Sequence, residues 1–417
     1  MYKGFLKEKD AEISDLYLKE YAELRSKQKS KQVIIGMGYE NVNYYPVDSF
    51  FYKGKKYSSD LRFISYNNKD LAALLKEHKN QFRHYDSKNK LFYGMYLFSS
   101  RIIDTEAKQH CFVFETAKGE KISLKIPQGD KVDQPHYKAK SKILHLFRRK
   151  SVFYIEEDKI LYIRIPVMEY KDINFFTSKI IRKSKGKEIT AVVIDVRHNP
   201  GGRDSLWHSV LAALISQELS YKETYALRDV PQAKRLISNY KDTHQLDIKQ
   251  FTSKIVPYLG NEKFLVKDSN LPIIPAENSI KFKGPIYLLC QNIFSSTSNL
   301  ASAAKSIDSI ISIGPKNPNE TGAGFDCVFF SLPNSKIILR FSATVDLANC
   351  EKLSDIMHAD FEVEIPDYNF FRHFYREIEN APENLSNRRK AFWYLRNKDQ
   401  HYKKVIELMS EKNDKIQ

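Results

Sequence analysis

Four hydroxyls stand in a row at Ser295, Ser296, Thr297 and Ser298, within residues 284–304, GPIYLLCQNIFSSTSNLASAA. An apolar run, Ile286 to Cys290, leads into them and a helical pattern follows. A serine at the start of a helix has backbone N–H groups and the positive end of the helix dipole beside it. That setting suits a nucleophile, because the N–H of the next residue can hold the oxyanion of a tetrahedral intermediate. It equally suits plain N-capping, for which Ser and Thr are the usual residues. A second segment, residues 189–202, reads ITAVVIDVRHNPGG. Its β-branched run fits a strand buried on both faces. Gly201 and Gly202 then let the backbone approach a partner closely and aim its N–H groups at it. A helical pattern follows through Leu206, Val210, Leu211 and Leu214, so strand, glycine turn and helix start together make a place for negative charge. Taken alone, the stretch also fits an ordinary strand-to-helix turn.

The elements that must position these residues divide the chain as follows. Residues 1–30 read as an N-terminal helix, with apolar spacing at Ile13, Leu16, Leu18, Tyr21 and Leu24. Residues 31–130 read as short strands punctuated by Lys53-Gly54-Lys55 and Lys118-Gly119-Glu120. Residues 131–150 form a Lys-rich linker. Residues 151–370 alternate strands with helices, the pattern of an α/β sheet core. Inside that span, 215–283 is polar and irregular and reads as a helical insertion. Residues 371–417 form a basic helical tail.

Composition fits a sizeable enzyme or binding protein. The 417 residues allow two or three domains, and 42% are hydrophobic. No apolar run approaches the ~20 residues of a membrane span. The first residues, MYKGFLKEKDAEISD, hold no apolar stretch of signal-peptide type, so the chain is expected to be cytoplasmic or trimmed of an export signal. Lys and Arg number 67 against 51 acidic residues, a net charge of +16. The charge is scattered and accompanies no zinc-finger, KH or RRM signature, so solvated lysine faces explain it better than a specific nucleic-acid site. Peripheral contact with an anionic membrane surface is a secondary expectation. Cys111 and Cys290 read as buried thiols. Cys327 and Cys350 flank a predicted hairpin, and spacing alone leaves a bridge between them open. No C-x-x-C pair occurs, and neither a metal nor a cofactor is expected.

The two segments, in this order and separation, resemble the C-terminal processing (tail-specific) serine peptidases. That family carries D-L/V-R-x-N-x-G-G at a strand end, matched by Asp195 to Gly202. Some 90 residues later it carries G-P, a strand, then N-x-x-S-A-S/A-E, matched by Gly284 to Leu289 and Asn292 to Asn299. Ile160 to Ile165 is similar to its opening strand. Ile313-Gly314 with Glu320 to Gly324 is similar to its I-G-E-x-T-x-G-G loop, and Ile356 to Val363 to its G-I-x-P-D-x-x-V. The resemblance covers residues 150–366. It implies an α/β catalytic domain of the ClpP/crotonase type, a mixed sheet with helices, preceded by a β-rich PDZ-like module. For that module the local match is Phe63 to Leu71, with Asn68 where the family has Gly. It also implies a polypeptide substrate and a cell-envelope setting. Oligomeric state is left open.

The resemblance places the nucleophile three residues before the family's Glu, here Asn299, which points to Ser296 with Ser295 as the alternative. The implied oxyanion donors are the N–H groups of Thr297 and of Gly201 or Gly202. One branch of the family draws its base from T-x-G-K-G, but Thr321-Gly322-Ala323-Gly324 has no lysine there. The other branch uses a His from before or within the PDZ-like region, at a turn that here reads Ile34 to Tyr39 without one. His198 and His110 are therefore candidate bases, with His84 and His136 also available, and Glu351 and Asp355 are candidates to orient one. Two functions follow. One is a serine endopeptidase acting through an acyl-enzyme. The other is a catalytically silent relative that binds peptides or a partner protein.

Overall fold

The computed structural model describes residues 35, 37–40, 43–46, 49–78, 84–86, 91–93, 107–130, 132–133, 149–231, 234, 248–260, 262–316, 327–331, 338–342, 344–348, 350, 359–363, 374, 377–378 and 380–414. Contacts divide the chain into two compact units, Glu8–Phe147 with Ile365–Asp399 and Arg148–Glu364 with Gln400–Gln417.

The first unit is β-rich. Its strands are β1 (Met37–Glu40), β2 (Asn43–Pro46), β3 (Phe50–Tyr52), β4 (Lys55–Tyr57), β5 (Arg62–Tyr66), β6 (Lys69–Asp70), β7 (His84–Asp86), β8 (Leu91–Tyr93), β9 (Gln109–Glu115) and β10 (Lys121–Pro127). The largest sheet runs β10-β9-β5-β6, and helix α1 (Leu71–Glu77) follows β6. Asn67 and Asn68 form the β5–β6 turn at φ 45° and 64°, a left-handed pair that Asn tolerates better than most residues. Asp70 then caps α1 by accepting the Ala73 N–H. Alternating aromatics, Phe63, Phe112 and Phe114, fill the core beside Phe50, Leu124 and Ile126.

The second unit holds the residues of chemical interest. In chain order it comprises β11 (Ser151–Ile155), β12 (Ile160–Arg164), helix α2 (Ile173–Ser184), β13 (Ala191–Asp195), helix α3 (Asp204–Leu214), β14 (Leu219–Arg228), β15 (Thr252–Ile255), β16 (Lys263–Ile273), β17 (Ile286–Leu289), helix α4 (Ser296–Ala304), β18 (Ile310–Gly314), β19 (Cys327–Ser331), β20 (Ile338–Ser342), β21 (Val345–Asp346) and β22 (Phe361–Glu362). Six strands form a mixed sheet in the order β11-β12-β13-β17-β18-β22. Only β11 runs antiparallel; the other neighbours pair in parallel. Every residue of β12, β13 and β17 is buried, the signature of strands covered on both faces. Phe176 and Ile180 of α2 and Leu206, Val210 and Leu214 of α3 belong to the same core.

Residues 215–283 differ from the helical insertion expected. They form long antiparallel strands in a second sheet, β15-β16-β14-β21. Their mixed polarity reflects partial cover: β14 buries Tyr221, Tyr225, Ala226 and Leu227 while Lys222 and Arg228 stay exposed. The tail forms two helices, α5 (Asn387–Lys398) and α6 (Gln400–Asp414), which belong to different units. The expected N-terminal helix and most of the expected linker lie outside the described residues. Cys290 is buried, whereas Cys111 is half-buried on β9, whose alternate side chains face away from the core. Cys350 is half-buried with its Sγ 3.4 Å from the Ala348 carbonyl oxygen, and the side chain of Cys327 lies outside the described residues. Among the described residues no helix is long and apolar enough to cross a membrane.

Candidate active site

Strands β13 and β17 are neighbours in parallel register, with Asp195 opposite Leu289. The loops that leave their carboxyl ends must therefore run side by side, the usual place for a site in an α/β sheet. Backbone bonds join them: Val196 N–H to the Leu289 carbonyl at 3.1 Å, His198 N–H to Gln291 at 2.6 Å and Phe294 N–H to Asn199 at 3.1 Å.

Asn199 ties three segments together. It is fully buried, its Nδ2 donates to the Ile165 carbonyl at 2.9 Å, and its Oδ1 accepts the Gly201 N–H at 2.8 Å. Sequence reasoning quoted Asn199 within its motif but assigned it no role. The signal was available, since Asn readily bonds its own backbone two residues on.

Gly201, at φ 92°, lies against the serine turn. A Cβ there would stand 2.6 Å from the Phe294 carbonyl oxygen and 2.6 Å from Ser295 Cβ. Gly202, at φ 140°, lies as closely on Met168, where a Cβ would meet the carbonyl oxygen at 2.1 Å. Both positions need glycine for the approach and for the dihedral. Gly201→Ala is expected to push the serine turn away from the glycine loop. The rate of labelling by a fluorophosphonate should fall about 100-fold, as misplacing a reacting group by an ångström does.

Ser295 is the strained residue of the turn. Its φ of 52° and ψ of −127° lie outside the allowed regions for an L residue. Such strain persists where the surroundings over-determine it, often at functional sites. The Ser295 side chain is exposed and makes no capping bond, so N-capping does not account for it. Its carbonyl accepts the Ser298 and Asn299 N–H groups at 2.7 and 3.1 Å, which starts α4.

Ser296 is placed differently. It is 3% exposed, and its Oγ, like Thr297 Oγ1, is buried without a hydrogen-bond partner among the described residues. A hydroxyl enclosed in this way cannot meet a substrate carbonyl. Thr297 donates its N–H to the Phe294 carbonyl at 3.1 Å, so this amide and that of Gly201 are already engaged. The N–H groups of Gly202 and Ser296 have no partner among the described residues. Asn299, where the family has Glu, donates to Asp204 Oδ2 at 3.0 Å and so stitches α4 to the start of α3.

Beneath the loops is a buried ionic cluster. Asp195 is 2% exposed. It accepts Tyr162 Oη at 2.5 Å, Arg197 Nη2 at 2.8 Å and Arg197 Nε at 3.0 Å, and Arg164 Nη1 lies 3.4 Å away. Burial opposes its charge, but Arg164 and Arg197 outweigh burial and hold the carboxyl well below the usual range. Cys290 at the end of β17 behaves oppositely: burial pushes its thiol well above the usual range, so it offers no thiolate.

Residues 159–341 match the family model described as Peptidase family S41. Over this segment, which is less than half of the chain, the protein is similar to peptidase family S41. The match supports serine-peptidase chemistry in general and a polypeptide substrate. Solved structures similar to the chain include mature CPAF, at 12% identity over 83% of this chain and 80% of that one, with a TM-score of 0.47. The photosystem II D1 C-terminal processing protease is 12% identical over 80% of this chain and 72% of that one, with a TM-score of 0.31. No curated protein matches the chain.

The S41 segment carries one imidazole on the two loops themselves. His198, exposed at φ 58°, has its Nδ1 3.4 Å from Asn292 Nδ2. His110 belongs to the β-rich unit, where it is 4% exposed and its Nδ1 lies 2.7 Å from Tyr66 Oη. His136, Glu351, Asp355 and the Thr321 to Gly324 loop lie outside the described residues, as does the side chain of His84. Among the described residues no group of three or more His, Cys, Asp or Glu is placed to hold a metal ion.

Proposed function

We propose that the protein is a serine endopeptidase whose nucleophile is Ser295. The observation that carries this reading is the apposition of Gly201 and Ser295 at 2.6 Å from the glycine's would-be Cβ, with Ser295 strained and exposed at the head of α4. In this reading Ser295 Oγ attacks the peptide carbonyl and its proton passes to a base. The N–H groups of Ser296 and Gly202 hold the oxyanion. The proton then goes to the leaving amine, and water hydrolyses the acyl-enzyme. The reading takes Ser295, the alternative to the Ser296 inferred by spacing, as nucleophile, takes Gly202 of the two glycine donors left open, and replaces Thr297 by Ser296 as the second donor. Each new position is open where the former one is enclosed or engaged.

A fluorophosphonate should label the full chain, and peptide mapping should place the adduct on Ser295. A well-folded chain that takes no label would instead be the catalytically silent relative.

The base is an imidazole in this proposal, because the Thr321 to Gly324 loop lacks the lysine of the other branch. The pH profile of kcat/KM should therefore rise along a limb centred between about 6 and 7. A limb at about 9 or above would show a lysine instead. His198, carried on the glycine loop, is the first imidazole to replace. The β-rich unit is proposed to capture extended peptide ends, as PDZ-like modules do by strand addition. Its left-handed Asn67–Asn68 turn leading into α1 supports that reading.

A further inference from the structure

At the other end of the six-stranded sheet, where β13 and β17 begin, is an open groove of about 650 Å³. The carboxyl end of α2 forms one wall and residues 278–284 the other. Backbone bonds hold that second wall. Ala276, Ile280 and Phe282 donate their N–H groups to the Ala212, Ala213 and Leu214 carbonyls at 2.8, 3.0 and 2.7 Å. Gly284 lets the Phe282 ring fold down, since a Cβ there would stand 2.6 Å from Phe282 Cζ and 3.0 Å from the Thr190 carbonyl oxygen. The floor is Ile181, Ile189, Ile280 and Phe282, all half-buried. The length of β13, about 17 Å, separates this groove from the glycine loop.

Its rim is cationic. Lys185, Lys281 and Lys283 line the groove and stand exposed, and their side chains make no ion pair or hydrogen bond among the described residues. A fourth, Lys187, is already engaged: it pairs with Glu156 at 3.1 Å and lies 5.2 Å from the centroid of the Tyr154 ring. Glu277, exposed beside Asn278, is the one carboxylate on the second wall's approach. Three lysines against one carboxylate, over an apolar floor, attract an anion that also has an apolar group to bury. The recess of the floor sets the shape of the partner. A bilayer is entered by side chains that protrude. A recessed floor is filled by a single side chain that reaches in. A polypeptide segment does this and brings carboxylates to the lysines on either side.

We propose that this groove docks an acidic polypeptide segment that carries a bulky aliphatic or aromatic side chain. That side chain enters between Ile181 and Phe282. Its acidic neighbours meet Lys185 on one wall and Lys281 and Lys283 on the other. The site is separate from the serine turn and stands whether or not the chain cuts peptides.

The test is fluorescence anisotropy of a labelled peptide, Glu-Asp-Leu-Phe-Glu-Asp, with the full chain. Two control peptides carry Lys in place of the acidic residues or Ser in place of Leu-Phe. The first peptide should bind more tightly than either control by about tenfold, which a few exposed charge contacts or one buried side chain supply. The double variant Lys281→Glu with Lys283→Glu should weaken its binding by about tenfold or more. Both lysines are exposed, so thermal unfolding of the variant should match the parent. Equal binding by parent and variant, or by the acidic and basic peptides, overturns the proposal. So does a parent chain that sediments with phosphatidylserine vesicles through these lysines and ignores the peptide, since the groove then serves a lipid surface. Fluorophosphonate labelling of Ser295 should be unchanged in the double variant. A chain that binds the peptide yet takes no label keeps the docking site and loses the peptidase reading.

Discussion

Replacing Ser295 by alanine is expected to abolish peptide cleavage and fluorophosphonate labelling, while Ser296→Ala leaves both within about tenfold of the parent. Removing a serine nucleophile costs on the order of 10⁴-fold or more in kcat, since the oxyanion donors alone provide only residual catalysis. Ser296 contributes its backbone N–H in the proposed mechanism, and alanine keeps that group. Its hydroxyl is buried without a partner among the described residues. Exchanging such a group for a methyl is close to neutral for stability, because an unsatisfied buried polar atom is itself unfavourable. Steady-state kinetics, labelling and thermal unfolding on the two variants decide the matter. An inactive Ser296→Ala beside an active Ser295→Ala would reverse the assignment and require the first turn of α4 to open during catalysis.

Asp195→Asn is expected to destabilise the S41 segment by about 3–5 kcal/mol, the usual result of removing one partner from a buried ionic cluster. Arg164 and Arg197 would then face each other with no carboxylate between them. Urea unfolding at pH 7 measures the loss. Acid titration gives a second readout. The folded carboxyl is held below its ordinary value, so its contribution is complete above about pH 4 and is lost as pH falls further. The parent chain should lose stability over that acidic window, and Asp195→Asn should lack this component. Equal acid sensitivity in both chains would show that Asp195 is not the group being protonated. Labelling of Ser295 should also slow in the variant, because Arg197 precedes the glycine loop and donates its own N–H to Asp195 Oδ1 at 3.0 Å.

The parts of the fold legible from sequence are those set by continuous local patterns. The runs before Asp195 and up to Leu289 are uniformly apolar, and each precedes a turn and a helix, so each could be read directly as a buried strand leading into a loop and a helix. The strands of 219–273 were not legible, since β14 exposes Ser220, Lys222 and Arg228 but buries Thr224 to Leu227 on both faces, so neither an alternating nor a continuous apolar pattern runs along it. The choice between Ser295 and Ser296 depends on where α4 begins. Spacing from Asn299 pointed to Ser296, and only the dihedrals at Ser295 and the enclosure of Ser296 separate them. The role of Asn199 rests on one local bond, to the Gly201 N–H, and on two contacts remote in sequence, with Ile165 and Phe294, which no local pattern encodes.

Helix α6 follows every other element of its unit, and it completes the ground beneath the glycine loop. Tyr402 Oη donates to Asp158 at 2.8 Å, and His401 Nδ1 lies 3.5 Å from Arg197 Nη1. Shortening the chain before α6 would therefore take a neighbour away from Arg197, so a change at the tail reaches the glycine loop across 204 positions of sequence.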